Sequence, residues 1–121
     1  MKIKDLIEFT NGTNFTPDID VNREIKGCCG ADLMSDVLAS IQPDAVLLTG
    51  LCNPQVVRTA QMADVSAIVI VRGKRIPLET IDLAVQEGIP LISTPFGMFE
   101  LCGRLYEIGM VSLEKTETTF P

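Results

Sequence analysis

Histidine and tryptophan are both absent from this chain of 121 residues, and aromatic residues make up only 5% of it. Without histidine the chain has no Ser-His or Cys-His nucleophilic pair and no imidazole ligand for a metal. Basic residues are also scarce: 10 Lys and Arg stand against 16 Asp and Glu, for a formal net charge of -6. Because nucleic-acid binding draws most of its affinity from phosphate neutralisation, we expect no nucleic-acid partner.

Long apolar runs are missing as well. The longest hydrophobic stretches are strand-sized, well below the roughly 20 residues of a membrane span. The charged N-terminus lacks the apolar core of a signal peptide. We therefore expect a cytoplasmic protein without membrane contact. Hydrophobic residues at 46% and charged residues at 21% are typical of a folded globular protein, and the length suits a single domain over 1–121.

Hydrophobic patterning predicts alternating strands and helices. Four strands are predicted: 23–28, 45–49, 67–71 and 90–93. Five amphipathic helices are predicted: 2–9, 33–41, 54–63, 77–87 and 98–108. Strands that are apolar on both faces and separated by amphipathic helices indicate an α/β fold with three layers, α/β/α, around a mostly parallel sheet. The segment 110–121 is predicted as a frayed tail, or as an edge strand at 110–113.

Finer features of the helices also follow from the pattern. Asp32 is a candidate cap for the helix that begins at residue 33. Gly12 and Gly88 are placed where glycine commonly ends a helix. In the helix over 77–87, the spacing of Leu78, Ile81 and Val85 predicts an inward-facing stripe.

The loops that follow the predicted strands hold the polar residues of most chemical interest. Parallel strands end at a common edge, where ligands usually bind in open α/β folds. Arg72, Lys74 and Arg75 share one such loop, and helices beginning near Pro54 and Gly97 offer N–H groups that favour anions. One hypothesis is a phosphate or carboxylate site; the other is that the basic residues solvate a turn while Thr and Asn cap helices. The candidate ligand-binding residues are Thr49, Gly50, Asn53, Arg72, Gly73, Lys74, Ser93 and Thr94.

Sequence signals for catalysis are weak. No Walker-type or GxGxxG motif is present, so the sequence does not specify a self-sufficient nucleotide site. No closely spaced carboxylate pair or nucleophile with a nearby base is visible. We therefore expect no catalytic residue, no enzymatic activity and no cofactor.

The four cysteines are expected to be structural. Cys28 and Cys29 are adjacent, so in a strand their side chains point to opposite faces, and the CxxC pairs typical of zinc sites are missing. Cys102 lies on the apolar stripe of its helix, where a thiol behaves as a small hydrophobe. Cys52 precedes a helix N-terminus, which makes it the candidate reactive thiol. The alternative function is a thiol-based redox or metal module that uses Cys28, Cys29 and Cys52.

Five stretches of the region 20–109 resemble a known family. They are DVNREIKG (20–27), GADLMSDVL (30–38), AIVIVRG (67–73), GIPLISTP (88–95) and FELCGRLY (99–106). The chain resembles the DRTGG domain, including its small stand-alone versions, and between 67 and 105 it is also similar to the N-terminal domain of HPr kinase/phosphorylase. The family's Asp-Arg corresponds to Leu51-Cys52 here and its Thr-Gly-Gly to Val71-Arg72-Gly73, so only Gly73 of that signature is clearly kept.

This resemblance implies a regulatory or ligand-sensing α/β module without catalysis of its own, acting through contact with a partner protein. The phosphate-binding loop of the kinase lies in a different domain, so the resemblance implies no kinase activity. An alternative is a sensor of an anionic small molecule or nucleotide. Small domains whose relatives are joined to other domains tend to expose an apolar patch, which a second copy can cover, so we expect a homodimer.

Overall fold

The computed structural model describes residues 1–115 of the chain, so residues 116–121 of the predicted tail lie outside the described residues. In order along the chain, the elements are α1 (Ile3–Phe9), β1 (Thr13–Asn14), β2 (Cys28–Gly30), α2 (Met34–Ser40), β3 (Val46–Thr49), α3 (Pro54–Met62), β4 (Ala67–Ile70), α4 (Leu78–Glu87), β5 (Leu91–Ser93) and α5 (Met98–Glu107). No helix within residues 1–115 combines the length and the hydrophobicity that crossing a membrane requires.

The strands form one sheet in the order β1-β5-β4-β3-β2. Strands β2 to β5 are parallel to one another, and the short β1 pairs antiparallel with β5. Every residue of β3 and β4 is buried, because helices cover both faces of the sheet. The predicted mostly parallel α/β sheet is confirmed.

Helices lie on both sides of this sheet and give it three layers. Each crossover from β2 to β5 advances by one strand in the same direction, so crossovers of one hand place α2, α3 and α4 on one face. Leu47 and Ile68 point to that face, whereas their neighbours Val46 and Val69 point to the other face, towards α1 and α5. The alternation along each strand therefore fills two separate cores, as the three-layer prediction requires.

Two strands differ from the sequence prediction. The strand predicted at 23–28 begins later, at Cys28, and Glu24 forms only an isolated antiparallel bridge with Lys2. Strand β1 was not predicted, since two polar residues, Thr13 and Asn14, carry no hydrophobic alternation. Both strands form because they pair with distant segments, and not because their residues have a high strand propensity.

Helix α4 faces the sheet with a different set of residues from the predicted stripe, of which only Ile81 packs against the core. Leu78 is 70% exposed and Val85 54% exposed, whereas Thr80 and Ala84 are fully buried. The Thr80 hydroxyl donates a hydrogen bond to the Cys52 carbonyl at 2.8 Å, which satisfies a polar side chain on the inner face. Gly88 ends the helix in the left-handed conformation, as predicted.

The predicted cap at Gly12 is wrong by one residue. Asn11 takes the left-handed conformation after α1, with a φ of 51°, and asparagine tolerates this region better than most residues. Gly12 is instead crowded: a Cβ there would lie 3.0 Å from both Ile92 Cγ2 and Thr10 Oγ1. Close approach, not a positive φ, therefore favours glycine at this position.

The start of the C-terminal segment is ordered along the edge of β2. Cys28 N–H donates to the Val111 carbonyl at 3.0 Å, and Leu113 N–H donates to the Cys28 carbonyl at 2.9 Å. A Cβ on Gly27 would lie only 2.6 Å from Leu113 Cγ, so glycine is needed for this close approach. Ser112 forms an isolated parallel bridge with Cys28 and not a full strand, so the choice between a frayed tail and an edge strand stays a prediction.

Candidate functional site

Asp32 connects the ends of two neighbouring strands. It lies two residues beyond β2, and its Oδ1 accepts hydrogen bonds from Gly50 N–H at 2.7 Å and from the Thr49 hydroxyl at 3.2 Å. The predicted role of Asp32 as a helix cap is wrong, because the N-cap of α2 is Leu33 and no side chain bonds to that helix end. The carboxylate faces the strand-end edge instead, since the donors from β3 lie there.

Lys74 approaches the same backbone from the loop after β4. Its Nζ donates a hydrogen bond to the Gly50 carbonyl. A Cβ built on Gly50 would lie 3.4 Å from Asp32 Oδ1 and 3.7 Å from Lys74 Nζ. A carboxylate and an ammonium group therefore flank one glycine; we call Asp32, Thr49, Gly50 and Lys74 the Gly50 site.

The loop that carries Lys74 is held in place by backbone contacts. Arg72 and Gly73 both have positive φ angles, 69° and 58°, a conformation that is uncommon for a non-glycine residue such as Arg72. Their N–H groups donate to the carbonyls of Phe96 and Thr94, each at 2.8 Å. The loop after β4 is thus fixed against the loop after β5, which positions Lys74 next to Gly50.

The remaining predicted residues lie at the same edge in different roles. The buried Thr94 hydroxyl donates to the Thr10 carbonyl at 2.7 Å and accepts from Phe96 N–H at 3.2 Å, so its contacts hold the loop. Ser93 is buried in β5 opposite Thr13. Asn53 is exposed at the N-terminus of α3 and makes no side-chain capping bond.

Three positively charged side chains lie in the loop beside the Gly50 site. Arg72, Lys74 and Arg75 are all exposed. Within the part of the chain that the structure describes, no carboxylate lies within 4 Å of any of the three, whereas Arg23, Lys26 and Arg104 each have an acidic partner. A dianionic group such as a phosphate would find unneutralised cations here.

The cysteines are distributed over both cores and the strand-end edge. Cys28 and Cys29 point to opposite faces of the sheet, as predicted. Burial raises the pKa of Cys28 to about 12 and that of Cys29 to about 11, so both are protonated at neutral pH. Cys52 is partly exposed, with its Sγ 3.9 Å from the Arg75 carbonyl oxygen. Among residues 1–115, no cluster of three or more Cys, Asp or Glu side chains is arranged to hold a metal ion.

Comparison with solved structures identifies the fold. The chain superposes, with a TM-score of 0.73 and 16% sequence identity, on the CBS and DRTGG domains of the regulatory region of a Clostridium perfringens pyrophosphatase, solved in complex with its activator, diadenosine tetraphosphate. The match covers 97% of this chain and 51% of the solved chain, so the protein spans about half the length of that structure. The likeness to HPr kinase/phosphorylase is not tested by this match and stays a prediction.

No protein-family model matches the chain, and a search of curated proteins gives no match.

Proposed function

We propose that this chain is a non-catalytic regulatory domain that senses an anionic small molecule of the nucleotide class at the Gly50 site. The observation that carries the proposal is the placement of Asp32 and Lys74 on either flank of Gly50, at the carboxyl edge of a parallel sheet. This edge is the usual ligand-binding region of open α/β folds. The shared fold with a regulatory region that was solved with a dinucleotide activator supports the same function.

The chemistry of the Gly50 site favours a ligand with two kinds of polar group. Lys74 has three N–H donors and uses one of them on the Gly50 carbonyl, so two remain for phosphate oxygens. Asp32 accepts hydrogen bonds through Oδ1, which leaves Oδ2 able to accept from a hydroxyl group. A nucleotide carries both phosphate oxygens and ribose hydroxyls, whereas inorganic phosphate satisfies only the cations.

The contacts within the site favour binding over catalysis. The Thr49 hydroxyl donates to Asp32 and accepts from Leu51 N–H at 3.2 Å, so it is occupied as both donor and acceptor. Asp32 is held by two donors of the neighbouring strand end. These contacts hold both groups in place, so the Thr49 hydroxyl has no free proton to give up as a nucleophile, and Asp32 serves as a fixed acceptor for a bound hydroxyl group. We infer that binding changes the contact of this domain with a partner protein.

Calorimetric titration of the full chain tests the ligand class. The probes are AMP, ADP, ATP, diadenosine tetraphosphate and inorganic phosphate. We expect saturable binding of at least one nucleotide and weaker binding of inorganic phosphate. A nucleotide at 100 times its Kd raises the free energy of unfolding by about 2.7 kcal/mol, so a thermal-shift assay gives an independent readout.

Two variants locate the binding event. Lys74→Met should weaken nucleotide binding at least about tenfold, because charge-assisted hydrogen bonds to phosphate are lost. Arg58→Met is the matched control, since Arg58 is an exposed cation on α3. Gly50→Ala adds a methyl group between Asp32 and Lys74 at ordinary van der Waals distances, so it should fold normally and still bind less nucleotide. Flat titrations with all probes, or equal loss in Lys74→Met and Arg58→Met, would refute the proposal.

A further inference from the structure

An open groove lies between the loop after β4 and the start of helix α5. It holds about 790 Å³, which is within the roughly 300–1,000 Å³ that small-molecule sites commonly have. The residues that line it are Arg72, Gly97, Met98, Phe99, Glu100 and Cys102. We call it the α5 groove.

Two links join the α5 groove to the Gly50 site. Arg72 lines the groove, and Lys74 follows it by two residues in the same loop. Gly30, whose Cβ would lie 3.4 Å from the sulfur of Cys102, precedes Asp32 by two residues. Because two residues span at most about 7 Å, one ligand of nucleotide size can contact the groove and the Gly50 site together.

Phe99 presents an uncovered aromatic ring to this groove. Its side chain is 93% exposed, the highest value among the exposed large hydrophobic residues of 1–115. The guanidinium of Arg104 covers the Phe96 ring at 4.5 Å from its centre, whereas no cation from the described residues lies over Phe99. Both faces of the Phe99 ring are therefore open to a flat partner, and nucleobases stack on such rings because every base has a π-face.

The surroundings of Phe99 favour a small flat ligand over an apolar protein surface. Of the described residues that line the groove, only Phe99 is an exposed large hydrophobic residue, and the charged Arg72 and Glu100 lie in the same lining. An interface between proteins buries about 800 Å² on each side and has few charges at its centre. A single ring between charged residues instead suits one ring of a ligand that carries its own charge.

The charges around the groove set the direction of such a ligand. Arg72 and Lys74 lie in the loop after β4, and no carboxylate of the described residues lies within 4 Å of either of them. On α5, the charge of Glu100 is balanced by Arg104 at 2.9 Å, so that side of the groove has no free positive charge. Phosphate groups therefore favour the loop, and the uncharged base of a nucleotide is left for α5.

We propose that Phe99 stacks on the base of the nucleotide whose phosphates contact Arg72 and the Gly50 site, an inference that rests on the proposed function. The cations bind the phosphate of any small phosphorylated molecule. Phe99 is then the residue that separates nucleotides from sugar phosphates and from inorganic phosphate.

Calorimetric titration with AMP and with ribose 5-phosphate tests this contact, because the two probes differ by the base. We expect the wild type to bind AMP at least about fivefold more tightly, since stacking of one base on an aromatic side chain contributes that much or more to affinity. Phe99→Ala should remove most of this difference by weakening AMP alone, and Phe99→Trp should restore it. Both variants should fold, because the replaced side chain is 93% exposed.

Tyr106→Ala is the matched control, because Tyr106 is an 80% exposed aromatic residue of α5 that does not line the groove. It should change neither affinity. Lys74→Met should weaken both probes by a similar factor, since it acts on the phosphate. AMP binding that depends on Lys74 but is unaffected by Phe99→Ala would overturn this inference and leave the proposed function standing, and so would equal losses in Phe99→Ala and Tyr106→Ala. Flat titrations with every nucleotide would refute the proposed function, and the stacking contact with it.

Discussion

The carboxylate of Asp32 receives the backbone N–H of Gly50 at 2.7 Å, although the two residues are 18 positions apart in the chain. This contact joins the loop after β2 to the loop after β3. It also holds the Asp32 carboxylate beside Gly50, so the geometry of the Gly50 site depends on it.

Replacement of Asp32 measures the strength of this contact. Asp32→Ala removes the acceptor of two hydrogen bonds and leaves the Gly50 N–H and the Thr49 hydroxyl without that partner. We expect a loss of about 1 kcal/mol in the free energy of unfolding, since Asp32 is solvent-exposed and water replaces part of the interaction. Urea denaturation measures it. Asp18→Ala, at another exposed loop carboxylate, should change the stability little; equal losses in both variants would contradict the assignment.

Asp44 should make the free energy of unfolding depend on pH in the acid range. Hydrogen bonding to Lys26, at 3.0 Å, and the nearby charges of Lys26 and Arg23 hold the pKa of the Asp44 carboxyl below its ordinary value of 3.8. Because the folded pKa is the lower one, this contribution is present above pH 3.8 and is lost as the pH falls through the folded pKa. Asp44→Asn should therefore be less stable than the wild type at pH 7 and equally stable at strongly acid pH.

Urea midpoints across this pH range test the Asp44 prediction. Asparagine is a suitable replacement because Asp44 has a positive φ of 70°, which asparagine tolerates. Added salt should reduce the difference at pH 7, because the ion pairs are exposed. Asp82→Asn on α4 is the control. A stability difference between Asp44→Asn and wild type that does not change with pH would argue against the charge contribution.

The four thiols should react at different rates. Burial raises the pKa of Cys28 to about 12 and that of Cys29 to about 11, so neither forms the nucleophilic thiolate at pH 8. Cys52 is partly exposed and should react first with Ellman's reagent in the folded protein. All four thiols should react in denaturant. Fast labelling of Cys28 or Cys29 in the native state, located by mass spectrometry, would contradict the prediction.

The same raised pKa values predict a loss of stability at alkaline pH. The folded protein binds the thiol protons more tightly than the unfolded chain does, so the contribution is complete below the ordinary cysteine pKa of 9.0. It is lost as the pH rises from there through the folded values. A Cys28→Ser,Cys29→Ser variant should show a weaker decline between pH 9 and pH 11 in guanidinium unfolding, measured relative to its own stability at pH 7.

Gly27 should tolerate no larger residue. A Cβ there would lie 2.6 Å from Leu113 Cγ and 2.7 Å from the Val111 carbonyl oxygen. This oxygen belongs to the backbone and accepts a hydrogen bond from Cys28 N–H, so it has little room to move. Gly27→Ala should therefore destabilise the protein by more than about 1 kcal/mol. Gly30→Ala, three residues further along in β2, is the matched control, because a Cβ there would lie 3.4 Å from the nearest atom, Cys102 Sγ. Hydrogen exchange should show faster exchange of the Leu113 amide only in Gly27→Ala.

Much of the architecture could be predicted because its strongest signals are local. The strands β3 and β4 are continuous apolar runs, and only a sheet covered on both faces buries every residue of such a run. The strand β2 has no such signal, because Cys28, Cys29 and Gly30 are weakly strand-forming and are held by pairing with β3 and with the C-terminal segment. The polar β1 is formed by its partner β5 in the same way.

The candidate site was predicted in part for a similar reason. The edge could be predicted, since parallel strands end together, and Thr49, Gly50 and Lys74 meet there. The sequence predicts a helix cap at Asp32 because the hydrogen-bond partners of its carboxylate lie in another loop, which helix patterning does not reveal. One sequence signal does identify Asp32. It follows β2 by two residues and so corresponds in register to Gly50, which follows β3.

The C-terminal segment shields the outer margin of β2, where Cys28 already exchanges hydrogen bonds with Val111 and Leu113. If proteolysis removed this segment, the N–H and carbonyl groups of Cys28 would be unpaired at an open sheet margin, ready to template a strand from a neighbouring molecule. Intermolecular β-addition would then join neighbouring molecules through their sheets. Shortened forms of this protein should accordingly precipitate at temperatures where they are still folded.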